Sequence, residues 1–252
     1  MAHFYKYNNG DPFFIKEVET PAQAKKLKQV FPSVTTVLGV LTDPFIDGRY
    51  KPMKTTELSR QHPNKTWEQI KDLVYGLREH PVTKEMIPSS EFGTEVHKRI
   101  EEYVLFDLGK QKNIGDSDWD EYAIPFVDWY RNSEIVPRFA EKIVTCSRVK
   151  TAGSVDFIGQ YKDRTYFLAD YKCRSCKDNT PKFYLKDKCQ LGIEALFLKQ
   201  ELNLNYIPEC ISICIDTNTA KHHHKVWKLD DVLHGIKITK LCSKLYWETR
   251  MK

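Results

Sequence analysis

The chain has 252 residues, of which 41% are hydrophobic and 29% charged, and its net charge is +5. No run of about 18 apolar residues is present, and the first residues contain neither a hydrophobic signal region nor an Arg-rich amphipathic pattern, so the sequence predicts neither a membrane span nor a secretory or transit signal. The seven cysteines favour free thiols in a reducing compartment, and we expect a cytoplasmic protein of a bacterial or phage-infected cell.

The N-terminal part of the chain carries few structural signals. Residues 1–31 mix aromatic residues with lysines and predict no definite element. The sequence PSVTTVLGVL at 32–41 begins with Pro and Ser, which is typical of a helix entry. Residues 42–66 are rich in Pro, Asp, Lys and Thr and predict a loop, whereas residues 66–79 place apolar side chains at helical spacing.

Two more helices are predicted before the pattern changes. The first covers residues 89–109, with Ser89 or Ser90 as its cap, and carries a buried apolar stripe. The second covers residues 118–133. Both carry enough regularly spaced apolar residues to pack against a sheet.

Short segments rich in β-branched and aromatic residues follow and predict strands. The expected strands are 141–149, 153–161 and 164–172, then, after a helix at 183–202, a late hairpin from 206–216 and 223–229; the tail, 230–250, is expected to be helical. This order predicts one α/β or α+β domain with a mixed central sheet flanked by helices. We expect a single domain over residues 1–252, divided into an N-terminal helical and loop region (1–88), a core (89–215), and a C-terminal hairpin strand and helix (216–252).

Two acids interrupt otherwise apolar strands. Asp156 lies in the second predicted strand, and Asp170 shares one face of the third strand with Lys172, because side chains alternate along a strand. A short turn joins these strands, so the two carboxylates are expected to lie close together. Such carboxylates repel one another unless a cation lies between them, and their oxygens suit Mg²⁺ or Mn²⁺. The ion would activate water and Lys172 would stabilise a phosphoryl transition state, which predicts phosphodiester hydrolysis. The alternative is a surface ion pair between Asp170 and Lys172 beside an unrelated strand acid.

Five sequence segments, in order, resemble the PD-(D/E)xK nuclease superfamily, in particular its RecB-like branch, which includes the mitochondrial genome maintenance exonucleases. The segments are PSVTTVL, FGTEVHKRIEEY, AGSVDFIG, LADYKCRS and KCQLGIEAL. The resemblance covers roughly residues 32–200. It implies a restriction-endonuclease-like core with the element order αβββαβ.

The resemblance also implies roles for individual residues. His97, Asp156, Asp170 and the backbone carbonyl of Tyr171 would bind the metal, and Lys172 would be the catalytic lysine.

Two more predicted catalytic residues lie on neighbouring elements. Glu141, which opens the preceding strand, would contact metal-bound water or support the ligands, with a solvated strand-end acid as its alternative. Gln190 matches the Gln of a Q-x-x-x-Y motif, but Glu194 stands where those relatives have Tyr. Glu194 would then touch the outer coordination sphere of the metal.

The remaining polar residues divide into expected DNA contacts and unassigned groups. Basic side chains next to the site motifs are expected to contact phosphates, and the PSVTTVL segment is assigned to DNA by resemblance; the full set is Ser33, Thr35, Thr36, Arg174, Lys177, Lys182 and Lys188. Cys173 and Cys176 form a C-x-x-C pair, but no early cysteine completes the four ligands of an iron–sulfur cluster, so free thiols are expected. The histidines at 222–224 lack a zinc-ligand partner at the usual spacing and predict a polar turn or edge.

The combined prediction is a metal-dependent DNA exonuclease that acts on single-stranded DNA or DNA ends in replication, repair or recombination. It would leave 5′-phosphate products, as the resemblance implies. Three alternatives remain at this stage: a structure-specific or restriction-like endonuclease, a catalytically inactive nucleic-acid-binding module, and a small protein-interaction domain in which the motifs are coincidental.

Overall fold

The computed structural model describes residues 3–8, 11–15, 18, 20–27, 30–41 and 51–251. The helices are α1 (Pro21–Ala24), α2 (Val34–Leu38), α3 (Lys51–Gln61), α4 (Trp67–Tyr75), α5 (Ser89–Asp107), α6 (Asp120–Asn132), α7 (Leu185–Glu201) and α8 (Leu229–Arg250). The strands are β1 (Phe4–Asn8), β2 (Asp11–Phe14), β3 (Val30–Pro32), β4 (Leu77–Glu79), β5 (Met86–Pro88), β6 (Val136–Cys146), β7 (Thr151–Gln160), β8 (Tyr166–Arg174), β9 (Glu209–Asp216) and β10 (His222–Trp227). None of these helices combines the length and hydropathy that a bilayer crossing requires.

A five-stranded sheet of order β10-β9-β8-β7-β6 forms the centre of the fold. Strands β6, β7 and β8 pair antiparallel in chain order, whereas β8 and β9 are parallel. A parallel pair needs a crossover connection, and α7 supplies it. This arrangement confirms the predicted mixed sheet and the α+β class.

Helices cover both faces of this sheet and divide the core into two layers. On one face, α7 and α8 contribute Leu191 and Ile236 to a cluster with Leu168 of β8. On the other face, α5 and α6 contribute Ile100 and Phe126 to a second cluster, which is rich in aromatic rings. Strands buried on both faces explain why the sequence here is apolar at consecutive positions rather than alternating.

The N-terminal region contains strands that the sequence did not predict. Strands β1, β2 and β3 form a separate three-stranded sheet of order β2-β1-β3. Ser33 caps α2 by accepting a hydrogen bond from the Thr36 backbone amide, as the PS entry signal predicts. Ser33 also forms a parallel bridge with Ala152, which attaches this sheet to the start of β7.

Several predicted boundaries were wrong. The loop expected at 42–66 contains α3, although 42–50 lies outside the described residues. The helix expected at 66–79 ends at Tyr75, because Gly76 adopts a φ of +98° and redirects the chain into β4.

Two further predictions changed at the ends of elements. The cap of α5 is Pro88 rather than a serine, since the Ser89 hydroxyl instead donates to the Gly76 carbonyl. Strand β6 begins at Val136, five residues before the predicted start at 141 (141 − 136 = 5).

Candidate active site

The site is built where strands β7 and β8 stop pairing. Their ladder ends at Phe157 and Ala169, so Asp156 and Asp170 face each other across the first unpaired position. The Oδ2 atom of Asp156 accepts a hydrogen bond of 2.8 Å from the backbone amide of Tyr171, which caps the end of the ladder with a side chain. Beyond this point β7 pairs with β6 and β8 with β9.

An irregularity in β6 and β7 directs two acids out of the regular core pattern. Val155 and Ile158 pack in the same core cluster, yet Phe157 packs in the opposite one, so the alternation of faces reverses at Asp156. In β6, Glu141 is the residue across from Asp156 and adopts a φ of +47°, a left-handed conformation that costs energy for a residue with a Cβ. The two carboxylates therefore lie beside each other at a strained position, which is typical of functional sites.

His97 completes a cluster with these acids. Ligand atoms of His97, Glu141 and Asp156 all lie within 4.8 Å of one another. His97 Nδ1 lies 3.6 Å from Asp156 Oδ2, and the Ser154 hydroxyl donates to Glu141 Oε2 at 2.8 Å. Helix α5 brings His97 to this position because its neighbour Val96 is fully buried and fixes the rotation of the helix.

The imidazole of His97 is held in its neutral form. Burial, followed by the charge of Lys172, lowers the pKa of His97 to about 3, although a hydrogen bond from the ring to the Tyr171 backbone carbonyl opposes the shift. Neutral imidazole is the form that coordinates metal ions. The hydrogen bond also places the Tyr171 backbone at the edge of the cluster.

Asp170 and Lys172 form an ion pair beside the cluster. Lys172 Nζ lies 2.6 Å from Asp170 Oδ1, and the Gln190 side chain donates to the same oxygen at 2.9 Å. Burial alone would lower the pKa of Lys172, but the attraction of Asp170 and Asp156 outweighs it and raises this pKa above its usual range. Lys172 is therefore a permanent cation next to the two acids.

Glu194 is the main site residue that the sequence prediction undervalued. It is 1% exposed, lies one helical turn after Gln190, and its Oε2 atom has no hydrogen-bond partner in the described part of the chain. Its oxygen occupies space that Gly153 leaves open, because a Cβ at Gly153 would lie 2.5 Å from Glu194 Oε1. The sequence signals were the glycine in β7 and the spacing of four from Gln190.

Burial, more than mutual repulsion, disfavours the charged forms of the site carboxylates. Burial, followed by the charge of Asp170, raises the pKa of Asp156 well above its usual range. Burial likewise raises the pKa of Asp170 and that of Glu194, and the Oδ2 atom of Asp170 has no partner among the described residues. A divalent cation would satisfy the unpartnered oxygen atoms and would stabilise the charged carboxylates that burial disfavours.

A cleft leads from the surface to the cluster. Its volume is about 450 Å³, and its walls come from the first turns of α5 and from β6. His97 and Glu141 line it together with Gly93 and Glu101. The cleft therefore gives an ion or a phosphate group access to two of the three clustered ligands.

Comparisons with known proteins add little to this geometry. No family model matches the chain, and no curated protein matches it. One similar solved structure is the crystal structure of a protein named SSO0001, with 13% sequence identity and a TM-score of 0.32; the alignment covers 74% of this chain and 69% of that one. A likeness this weak carries no functional argument.

The basic residues predicted to contact DNA have different environments. Arg174 makes two hydrogen bonds, of 2.7 and 2.8 Å, to Asp187, and Lys188 lies 3.0 Å from Asp231. The positive charges of Arg174 and Lys188 are therefore compensated by acids of the protein. The exposed residues of the predicted set are Thr35, Lys177 and Lys182.

The other two predicted DNA contacts face inward. Ser33 is 4% exposed and donates its hydroxyl to Thr36 Oγ1 at 2.8 Å. Thr36 Oγ1 also accepts a hydrogen bond of 2.9 Å from the backbone amide of His3. These bonds fix the start of α2 against β1, which assigns both side chains a structural contact.

The cysteines and the three consecutive histidines take no part in the cluster of His97, Glu141 and Asp156. All seven cysteines are free thiols, and Cys176 Sγ lies 3.7 Å from Cys214 Sγ. The histidines at 222–224 lie in β10, which is an edge strand of the sheet, so of the predicted turn and edge the structure has the edge. The ring of His222 bonds the backbone carbonyl of Tyr122 at 2.8 Å, which attaches this edge to α6.

Proposed function

We propose that the protein is a Mg²⁺- or Mn²⁺-dependent deoxyribonuclease that hydrolyses phosphodiester bonds. The observation that carries the proposal is the cluster of His97, Glu141 and Asp156 beside the ion pair of Asp170 and Lys172. Carboxylates that could hold a metal ion, with a lysine beside them, are suited to metal-assisted attack on a phosphate.

The cluster would hold the metal through ligands from three elements. His97, Glu141 and Asp156 are close enough to share one ion, and Asp170 and the Tyr171 carbonyl would join them, as the family resemblance implies. A divalent ion bound there would lower the pKa of a bound water and neutralise charge on a phosphoryl oxygen. Hard oxygen donors with one imidazole favour Mg²⁺ or Mn²⁺.

The protein's own side chains would perform the remaining tasks. Lys172 would bind the scissile phosphate and stabilise the negative charge that develops on it. Gln190 holds Asp170, and Ser154 holds Glu141, so each carboxylate is oriented before substrate arrives. The cleft beside α5 would admit the strand that is cut.

The order of elements supports the same assignment. The run α6, β6, β7, β8, α7, β9 contains one helix, three antiparallel strands, a crossover helix and a parallel strand. We propose that this run is a restriction-endonuclease-like core of the PD-(D/E)xK type. Digestion from an end, preferably of single-stranded DNA and in replication, repair or recombination, is proposed on the sequence resemblance alone.

The decisive experiment is incubation of end-labelled single-stranded DNA with the protein and Mg²⁺ or Mn²⁺. We expect cleavage with either ion, loss of cleavage with EDTA, and loss with Lys172→Ala. Lys162→Ala is the matched control, since it removes an exposed lysine from the turn between β7 and β8 and should leave cleavage unchanged. Cleavage that survives EDTA or Lys172→Ala would overturn the proposed mechanism.

A closed circular single strand separates the two enzyme classes. A strict exonuclease leaves the circle intact and degrades the linear strand, whereas a structure-specific or restriction-like endonuclease cuts both. Binding without any cleavage would identify the chain as an inactive nucleic-acid-binding module.

A further inference from the structure

A group of basic residues lies around the turn that precedes β7, away from the cluster of His97, Glu141 and Asp156. Arg148 and Lys150 belong to the turn between β6 and β7, and Lys240 and Lys244 lie on α8. All four side chains are exposed, and in the described part of the chain none of them forms an ion pair. This group differs from Arg174 and Lys188, whose charges are compensated by acids.

These cations surround a large cavity. The cavity has a volume of about 730 Å³, and all four cations line it, with Glu248 as its one acidic wall residue. Volumes of this order are typical of sites that enclose a small ligand or part of a larger one. The excess of positive charge makes an anion the complementary occupant.

One aromatic ring stands in the wall of the cavity. Trp247 lines it and also lines an adjoining cavity of about 590 Å³. The indole N–H of Trp247 donates to the Lys150 carbonyl at 2.9 Å, and the Ser243 hydroxyl donates to the Val149 carbonyl at 2.6 Å. The helix and the turn are thus joined, and the ring is held in a fixed orientation.

The spacing on α8 explains how these groups meet. Lys240, Lys244 and Trp247 are separated by four and three residues, which places them on one face of the helix. Lys150 Nζ lies 5.3 Å from the centroid of the Trp247 ring, so ring and cation already adjoin. An aromatic ring held among cations without acidic partners can stack a base while the cations hold the flanking phosphates. An acidic peptide would satisfy the charge but would give the ring no flat partner.

We propose that this cavity binds a segment of single-stranded nucleic acid, with a base stacked on Trp247 and phosphates held by Arg148, Lys150, Lys240 and Lys244. The choice of nucleic acid rests on the proposed nuclease function, but the surface itself is separate from the metal cluster. It would retain a strand independently of the cleavage step.

The test is equilibrium binding of a fluorescein-labelled oligothymidylate in EDTA, followed by anisotropy across a range of salt concentrations. Lys240→Gln combined with Lys244→Gln should weaken binding and reduce the slope of log K against log salt by about 1.4, since each neutralised phosphate contributes about 0.7 on a single strand. Lys110→Gln combined with Lys112→Gln is the matched control, because these lysines are also exposed but follow α5. An unchanged slope in the first double variant would overturn the proposal.

The contribution of the ring is measured with a second strand. Trp247→Ala should weaken binding of the oligothymidylate roughly 5- to 150-fold and should leave binding of an abasic strand of the same length unchanged. Base stacking would be contradicted if Trp247→Ala weakened binding of both strands equally. It would also be contradicted if polyglutamate of equal charge displaced the oligothymidylate completely.

Failure of the proposed binding cavity can be distinguished from failure of the proposed nuclease activity. A chain that shows the expected slope change but never cleaves DNA retains this surface and loses the proposed activity. A chain that cleaves in a Lys172-dependent manner, with no slope change, retains the activity and loses this surface.

Discussion

Replacing Glu194 by Gln should stabilise the metal-free protein at neutral and alkaline pH. Glu194 is 1% exposed, one of its oxygens has no partner in the described part of the chain, and burial and the charge of Asp170 raise its pKa well above the usual 4.5. Gln has nearly the same shape and carries no charge to bury. The cost of ionising a buried group is thereby removed.

The sign and size of the effect follow from proton linkage. Because the folded pKa is raised, the folded state holds a proton that the unfolded state releases above about pH 4.5. The stabilisation of the folded state by protonated Glu194 is therefore complete below that pH. It is lost as the pH rises toward and through the pKa of Glu194 in the folded protein. Stability falls over this window by up to about 1.4 kcal/mol per pH unit for one proton.

The assay is urea unfolding in EDTA at a series of pH values for the wild type and Glu194→Gln. We expect the variant to show a shallower decline in unfolding free energy with rising pH. Glu201→Gln is the matched control, since Glu201 is an exposed acid at the end of the same helix. Equal pH slopes in the wild type and Glu194→Gln would refute the inference that Glu194 is buried as a neutral acid.

Three further outcomes are expected. Gly153→Ala should cost about 1–3 kcal/mol in urea unfolding, because its Cβ would meet Glu194 at 2.5 Å, and adding Glu194→Ala should recover part of this loss; a neutral Gly153→Ala would contradict the close packing. Arg174→Lys should lower unfolding free energy by about 1–3 kcal/mol, because Lys cannot reproduce the paired bonds to Asp187, and no loss would mean that the pair is absent in solution. His97 should remain neutral in an NMR titration until the pH approaches about 3. Because the unfolded chain takes up this proton near pH 6.5, the free energy of unfolding should decline as pH falls from 6.5 toward 3; protonation of the folded protein near pH 6.5 would contradict the lowered pKa.

The central elements could be predicted because their sequence patterns are local. Strands β7 and β8 are rich in β-branched and aromatic residues and have brief turns between them, and α7 has a long apolar pattern. The alternation of side chains along β8 also predicted that Asp170 and Lys172 share a face, and the 2.6 Å between Lys172 Nζ and Asp170 Oδ1 agrees with this prediction. Strands β1–β3 were missed because a small sheet assembled from short, separated segments leaves no periodic signal.

The details of the site depend on tertiary structure that alternation cannot predict. A period of two would put Val155 and Phe157 on the same face, yet the strands reverse their faces at Asp156 and Glu141. Arg174 bonds Asp187, which lies 13 residues away in the sequence on α7, and the local sequence does not predict this pair. The local sequence therefore identified the residues that could form the site. The tertiary structure determines which of them face the cleft.

Mn²⁺ binding to the folded protein, followed by electron paramagnetic resonance, tests the proposed metal site most directly. We expect the wild type to bind Mn²⁺ and Asp156→Asn, which removes one ligand charge from the cluster, to bind it much more weakly. Asp163→Asn, an exposed acid in the turn after β7, is the control and should bind Mn²⁺ as the wild type does. A wild-type protein that does not bind Mn²⁺, or an Asp156→Asn variant that binds it equally well, would contradict the claim that these carboxylates are assembled around a cation.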